Sequence, residues 1–418
     1  MVRVETRTFT RVEGSGSADI IIEDGTVKEV RVRLIEGPRF FELLTLGRDY
    51  YDVPDIEARI CAICYLSHSI ASTTAIERAF GVEVTEEIEL LRELGLLGEL
   101  IESHSLHLYF LVSPDIFGQP DAINLAKKHW DLVKEGTTIM NFGNYIRDLI
   151  GGREIHGINV KPGGFGRYPS EEELRVIEKN SKEYIRNVVK ILELFASQRP
   201  FGARPDVNIV TDKYLLGDKL MADDGSLFDY HECIEEKSLP YSFAKQSRYK
   251  GRVFMVGSLP RLLLKSKYLT PTAAEFFEGY KDLLMERYVS RNNLAQAIEL
   301  IYALEKAGEV AKRLLDEGIS GNNIPIKPVE GEGIGYVEAP RGILVHHYKI
   351  GEDGKIKYSN IITPTAMNHA LMELSLYEEA KKNLGKMEDE KVIRKLEETV
   401  RAFDPCISCS VHMVKMRP

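Results

Sequence analysis

Between residues 17 and 36, apolar and polar side chains alternate about the pair Asp24-Gly25, with Ile20 to Ile22 before it and Val27, Val30, Val32 and Leu34 after it. A period of two around an Asp-Gly dipeptide predicts a β-hairpin. From Arg39 the apolar period lengthens to that of a helix, and Cys61 to Phe80 reads as one helix stopped by Gly81. On such a helix Cys61, Cys64 and His68 fall at i, i+3 and i+7 and share one face. A long helix is expected from about Thr85 to Val112, halted before Pro114. Ser170-Glu171-Glu172-Glu173 reads as a capping box that opens a helix running to about Ser197.

Further helices are expected at 270–288, 292–316, 365–384 and 389–403, with a strand at Val253 to Val256. A second hairpin, Ile343 to Ile362, turns over Gly351-Glu352-Asp353-Gly354. The fold class is therefore α+β and helix-dominated, a central bundle of long helices with β-hairpins and small sheets near both ends. Within one domain, 1–418, the regions run as hairpin (1–38), helical body (39–200), mixed segment (201–340), C-terminal hairpin and helices (341–412) and tail (413–418).

Charge narrows the partners. The chain has 418 residues, with 55 Lys and Arg against 64 Asp and Glu for a net charge of −9, and no stretch gathers the cations into one face. A nucleic-acid partner is not expected. No run reaches the roughly 18 apolar residues of a membrane span, and Met1-Val2-Arg3-Val4-Glu5 carries no apolar signal stretch, so membrane insertion is not expected and the cytoplasm is the expected location.

Four of the five cysteines fall in two pairs of the same form, Cys61-Ala62-Ile63-Cys64 and Cys406-Ile407-Ser408-Cys409. Cys-x-x-Cys pairs in a chain without an apparent signal read as metal-binding or redox thiols, and four thiolates select soft transition metals. Three readings compete on spacing alone: structural zinc, an iron-sulfur cluster, and a catalytic transition-metal centre. Structural zinc usually staples pairs a few tens of residues apart, whereas nearly the whole chain separates these two.

The flanking residues favour catalysis. Arg59-Ile60-Cys61-Ala62-Ile63-Cys64-Tyr65-Leu66-Ser67-His68 resembles the R-x-C-G-x-C-x-x-x-H segment of nickel-iron hydrogenase large subunits, and Asp404-Pro405-Cys406-Ile407-Ser408-Cys409-Ser410-Val411-His412 matches their D-P-C-x-x-C-x-x-H signature. The likeness continues through Arg11-Val12-Glu13-Gly14, Arg39-Phe40-Phe41-Glu42, Glu338-Ala339-Pro340-Arg341-Gly342 and Pro364-Thr365-Ala366-Met367-Asn368, in family order. Among subtypes, the chain looks most like the cytoplasmic NAD(P)-linked hydrogenases, or sulfhydrogenases, of archaea. An enzyme that reduces coenzyme F420, or an H2-sensing regulatory hydrogenase, is the alternative. The related quinone-module subunit of respiratory complex I has lost these cysteines.

The resemblance implies reversible cleavage of H2 to protons and electrons at a nickel-iron centre whose iron carries carbon monoxide and two cyanides. It implies that Cys61 and Cys406 are terminal nickel ligands while Cys64 and Cys409 bridge to iron. It further implies Cys406 as first proton acceptor, Glu13 as proton relay, and Arg341 with Asp404 over the metals after the stiffening Pro340. Thr365 would bond a cyanide, and His68 a bridging sulfur. A second ion, magnesium or iron, would take Glu42, the carbonyl of Ile361, and His412. Two departures stand out: Ala62 replaces a common glycine, and Ser103-His104 occupies an Asp-His position, with His107 retained, which removes one carboxylate.

With one thiol to spare, Cys233, the chain is not expected to hold an iron-sulfur cluster of its own, and Gly331-Glu332-Gly333-Ile334-Gly335 lacks the spacing of a nucleotide fingerprint. The implied partners are therefore an iron-sulfur small subunit and further subunits that carry flavin, NAD(P) and iron-sulfur clusters. A maturation protease acting after His412 is implied by the residues that follow it.

Overall fold

Asp24 and Gly25 both take positive φ, 49° and 73°, so the first hairpin turns where the sequence places it. Strands β1 (Val2–Glu5), β2 (Gly16–Glu23) and β3 (Thr26–Leu34) form an antiparallel sheet in that order. The computed structural model describes residues 2–37 and 39–411, with side chains from residue 5 onward, and His412 lies outside the described residues, as does 413–418.

Three helices carry the N-terminal half of the site: α1 (Tyr65–Ala79), α2 (Glu86–Ser105) and α3 (Trp130–Gly151). Helix α2 begins where expected, with Thr85 accepting from Ile88 N, but the helical run does not halt before Pro114: it passes through a π-helical stretch, Leu106–Val112, into a short helix, Ser113–Ile116, that has Pro114 in its first turn. Helix α3 was not expected from the pattern. It packs on α2 backbone to backbone, because a Cβ at Gly143 would collide with Glu102 N and one at Gly98 with Ile146.

Helix α4 (Arg291–Glu317) is buried along most of its length, and α5 (Pro364–Asn383) covers the first sheet. Val32 lies between two side chains of α5: its N–H donates to Glu373 at 3.0 Å, and His369 Nε2 donates to its carbonyl at 2.9 Å. The second hairpin is also found, as β5 (Gly342–Ile350) and β6 (Ile356–Ile362), and β4 (Gly331–Ala339) and a short strand at Leu216–Gly217 complete its sheet. The alternating glycines of β4 have a packing reason. A Cβ at Gly331, Gly333 or Gly335 would strike the carbonyls of Ala79, Ala75 and Ala71, so α1 lies directly on the strand through its small-residue face. Most buried apolar residues from Phe9 to Val411 join one large cluster, with two smaller ones beside it, and the architecture is α+β.

Two expected helices are corrected. The capping box at Ser170 is present, but the helix stops at Ser181 and a second runs Ile185–Ala196. Ser181 is wedged against Gly308 of α4 and turns its hydroxyl back to the Glu178 carbonyl at 3.2 Å, which competes with the helical ladder.

The other correction concerns Cys61, which lies in a loop before α1, while Cys64 is the N-cap of that helix. A helix from Cys61 would bond the carbonyls of Ala62 and Ile63 to the N–H groups of Leu66 and Ser67. Arg147 Nη2 takes those two carbonyls at 2.7 and 2.9 Å, and the Glu99 carboxylate takes those two N–H groups at 2.9 and 3.2 Å. Tertiary side chains have replaced one turn of ladder.

Candidate metal centre

The four paired cysteines meet. Their sulfurs lie within 4.8 Å of one another, and all four residues are buried, at 2 to 4% exposure. Cys61 Sγ is 3.3 Å from Cys406 Sγ, Cys64 Sγ is 3.2 Å from Cys409 Sγ, and Cys406 Sγ is 2.6 Å from Cys409 Sγ. Each N-terminal sulfur thus faces a C-terminal one. Arg39 binds the two segments together, donating through one nitrogen to the carbonyls of Ile60, at 2.6 Å, and Ser408.

Hydrogen bonds from Cys406, Cys409 and Cys64 pull the Cys61 thiol down, whereas burial pushes Cys406 and Cys409 up. Four thiolates cannot all ionise in one buried pocket without a compensating cation. The donor set, sulfur only and enclosed, therefore fits a soft metal.

Around the sulfurs, Glu13 joins Cys406 by an isolated parallel bridge, and its carbonyl accepts from Ile407 N at 3.0 Å. Its carboxylate accepts from Ser408 N at 3.0 Å and from the Ser408 hydroxyl, and it also meets the Cys406 thiol. Burial, then the Cys61 charge, raises its affinity for a proton above that of an ordinary glutamate. Gly14 permits the approach, with φ 83° and no room for a Cβ against Ile407. Thr365 is fully inside the fold, and its hydroxyl accepts from Cys406 N at 2.9 Å; Thr363, not Thr365, is the N-cap of α5.

Arg341 is buried and donates through Nε to the Asp404 carbonyl at 3.0 Å and through Nη2 to its carboxylate at 3.1 Å. Its Nη1 has no hydrogen-bond partner among the described residues, so a donor remains for a ligand beside the sulfurs. Burial opposes ionisation of Asp404, yet Arg341 together with His107 and His104 outweighs it and holds the carboxyl below its usual range. Gln296 adds a bond at 3.0 Å. Arg261 stiffens the approach by donating to the carbonyls of Ala339 and Pro340, each at 3.1 Å.

His68 lies on α1 with its Nδ1 3.0 Å from His346 Nε2, and His346 Nδ1 is 2.7 Å from the Tyr348 hydroxyl. Glu42 and Ile361 are brought together, the Ile361 N–H donating to Glu42 Oε1 at 3.0 Å, with Lys245 Nζ 3.3 Å from the same oxygen. Glu42 Oε2 has no partner among the described residues. His412, the remaining residue of that expected second site, lies outside the described residues.

Arg147, Glu99 and Glu102 escaped the sequence reading. Their signal was there: charged residues inside apolar stripes, Glu99 and Glu102 within Leu96 to Phe110 and Arg147 beside Ile146. An ionisable group on a core face must be paired, so it marks a specific partner.

This sulfur pocket, reached from both ends of the chain, places the protein in a known class: the profile of the nickel-dependent hydrogenase family matches residues 39–141 and 213–412, and the chain belongs to that family. It is 59% identical over 413 residues to the sulfhydrogenase 2 alpha subunit of Pyrococcus furiosus, covering 99% of this chain and 100% of the relative. It is 39% identical over 425 residues to the sulfhydrogenase 1 alpha subunit of the same organism, covering 98% and 97%. Among solved structures, it is similar to an NAD+-reducing [NiFe]-hydrogenase in the H2-reduced state, with a TM-score of 0.88, 27% identity, and coverage of 99% of this chain and 100% of that one.

Proposed function

We propose that this chain is the catalytic large subunit of a soluble nickel-iron hydrogenase that interconverts H2 with protons and electrons. When bound, the nickel-iron pair, its iron carrying carbon monoxide and two cyanides, supplies the Lewis acidity that polarises H2 and the capacity to take up two electrons. Cys61, Cys64, Cys406 and Cys409 would together hold the nickel-iron pair. The observation that carries the reading is the buried four-sulfur pocket with the Glu13 carboxylate against Cys406.

The protein then has three tasks. Cys406 Sγ accepts the proton, and Glu13 passes it outward; burial has moved Glu13 towards the range where it can both take and release one. Arg341, fixed by Asp404 and by the stiff backbone of Pro340, presents its spare Nη1 and its charge where negative charge gathers. The Thr365 hydroxyl orients the Cys406 N–H and would donate to a cyanide, while His68 would support a ligand sulfur.

Electrons leave to an iron-sulfur small subunit and on to subunits that carry flavin, further iron-sulfur clusters and NAD(P). The sulfhydrogenase and NAD+-reducing relatives support that acceptor. Glu42, with an open Oε2, the Ile361 carbonyl and His412 would hold a second ion, magnesium or iron. A maturation protease cuts after His412. The chain works as one domain in the cytoplasm.

Infrared spectra of purified protein in the carbonyl and cyanide stretching region, with nickel analysis and H2-dependent NAD(P) reduction by the whole complex, test this. Bands of one carbonyl and two cyanides with stoichiometric nickel are expected. Their absence in freshly isolated, fully assembled complex overturns the reading.

A further inference from the structure

The peptide between Ala62 and Ile63 links two hydrogen bonds in series. Arg147 Nη2 donates to the Ala62 carbonyl at 2.7 Å, and the N–H of that same peptide unit, on Ile63, donates to Cys61 Sγ at 3.3 Å. A guanidinium on the oxygen end of an amide draws electron density from its N–H, which makes that N–H the stronger donor. The positive charge of Arg147 is therefore felt at a ligand sulfur that it does not touch.

The fold invests heavily in keeping Arg147 there. The residue is 2% exposed, and a buried guanidinium is costly unless it is paired; its two terminal nitrogens are, while Nε has no hydrogen-bond partner among the described residues. Nη1 is held by Asn144 Oδ1 at 2.9 Å and lies 3.4 Å from Glu102 Oε2, while Nη2 also binds the Ile63 carbonyl at 2.9 Å. The guanidinium stacks over Tyr65 at 5.1 Å, and the Tyr65 hydroxyl donates to the Arg147 carbonyl at 3.0 Å. Gly143, one turn earlier on α3, lets Glu102 come close enough. Glu102 offsets the cost of burying that charge, and the shared peptide carries its effect on to Cys61 Sγ.

We propose that Arg147 is a positioning residue for the N-terminal cysteine pair, acting through the Ala62-Ile63 peptide to fix the Cys61 sulfur and to withdraw electron density from it at the metal. The inference rests on the nickel-iron reading above. Hydrogen bonds to ligand sulfurs raise the reduction potential of the metal they serve, because they stabilise the more negative, reduced form.

The test compares Arg147→Gln, Arg147→Lys and Asn144→Ala with the wild type in the assembled complex, reading nickel content, infrared bands and the midpoint potential of the centre by spectroscopic titration. Arg147→Gln is expected to shift the potential to more negative values, to move the infrared bands, and to lower turnover per nickel by roughly tenfold. Arg147→Lys, which keeps the charge without the fork, should recover part of the shift. Asn144→Ala touches neither the loop nor a cysteine and should give a smaller shift of the same sign. A nickel-loaded Arg147→Gln with wild-type bands and potential overturns the proposal. If that variant does not assemble, an unshifted Asn144→Ala overturns it instead. A wild-type protein without nickel or diatomic bands would overturn the nickel-iron reading itself, an outcome separate from these.

Discussion

The two cysteine pairs share a spelling and differ in how they are fastened. Cys61 and Cys64 are gripped by buried charges from neighbouring helices, Arg147 on the carbonyls and Glu99 on the N–H groups that follow. Arg147 and Glu99 stand on α3 and α2, within one packed helical unit, and Arg39, on the Ile60 carbonyl, is shared with the other pair. Cys406 is the N-cap of a four-residue helix, Ile407–Ser410, that contains Cys409, and the pair is held by Glu13 and Arg39 from the other end of the chain and by Thr365 at the start of α5. The first pair is set by local assembly of α1, α2 and α3. The second is set only when the two ends of the chain have met, so it is the half of the pocket whose closure depends on the whole fold.

Replacing one sulfur on each side is the severest way to break this contrast. Cys61→Ser and Cys406→Ser are both expected to reduce nickel in the purified complex to background, because a soft metal loses a thiolate and gains a poor hydroxyl donor. Nickel retained at wild-type level in either variant, measured by elemental analysis, would remove that sulfur from the site. Next in size is Glu13→Gln. The amide keeps one acceptor for Ser408 but cannot relay a proton, so turnover should fall about 10²-fold with nickel intact. Retained turnover would leave Glu13 as a latch for the C-terminal pair and nothing more.

Two smaller changes sharpen the difference in fastening. Gly143→Ala places a methyl group against Glu102 N and should cost about 1–3 kcal/mol of stability, with nickel retention falling as α2 and α3 part. Thr365→Val strands the buried Cys406 N–H and should cost about 1–2 kcal/mol without disturbing the N-terminal loop. Thermal melts of the assembled complex measure both, and an unchanged Tm in Gly143→Ala would contradict the close approach of the two helices.

How much of this was legible follows from what pattern can encode. Both hairpins read correctly, because Asp24-Gly25 and Gly351 to Gly354 are local turn chemistry set beside alternating strands. Convergence of the four sulfurs followed from motif resemblance, which carries long-range information that periodicity lacks. The loop at Cys61 did not read, since its spacing is helical and only Arg147 and Glu99, distant in sequence, undo it. Helix α3 was missed for a related reason: Gly136, Gly143 and Arg147 interrupt its apolar stripe, yet each is there to let another element come close or to bind it. Local rules fail where the site is built.

A dependence on pH, not a fixed loss, separates the two fastenings by their chemistry. Burial pushes the Glu99 carboxyl from its ordinary 4.5 up to about 7, against the pull of Arg147 and of the bonds from Ser67 and Leu66. In the unfolded chain the group releases its proton near 4.5, so between these two values the folded protein holds a proton that the unfolded chain has lost. The contribution of Glu99 is therefore complete below the lower value and is lost as pH rises through the upper one, with a slope of at most about 1.4 kcal/mol per pH unit. Glu99→Gln mimics the protonated form and should flatten this slope, gaining on the wild type as pH rises from about 5 to about 8. Thr365 does not titrate in that range, so the loss in Thr365→Val should be the same throughout it. Melting curves of wild type and Glu99→Gln that stay parallel across this window would show that the N-terminal grip is not tuned by this carboxyl, and that the two cysteine pairs respond to pH alike.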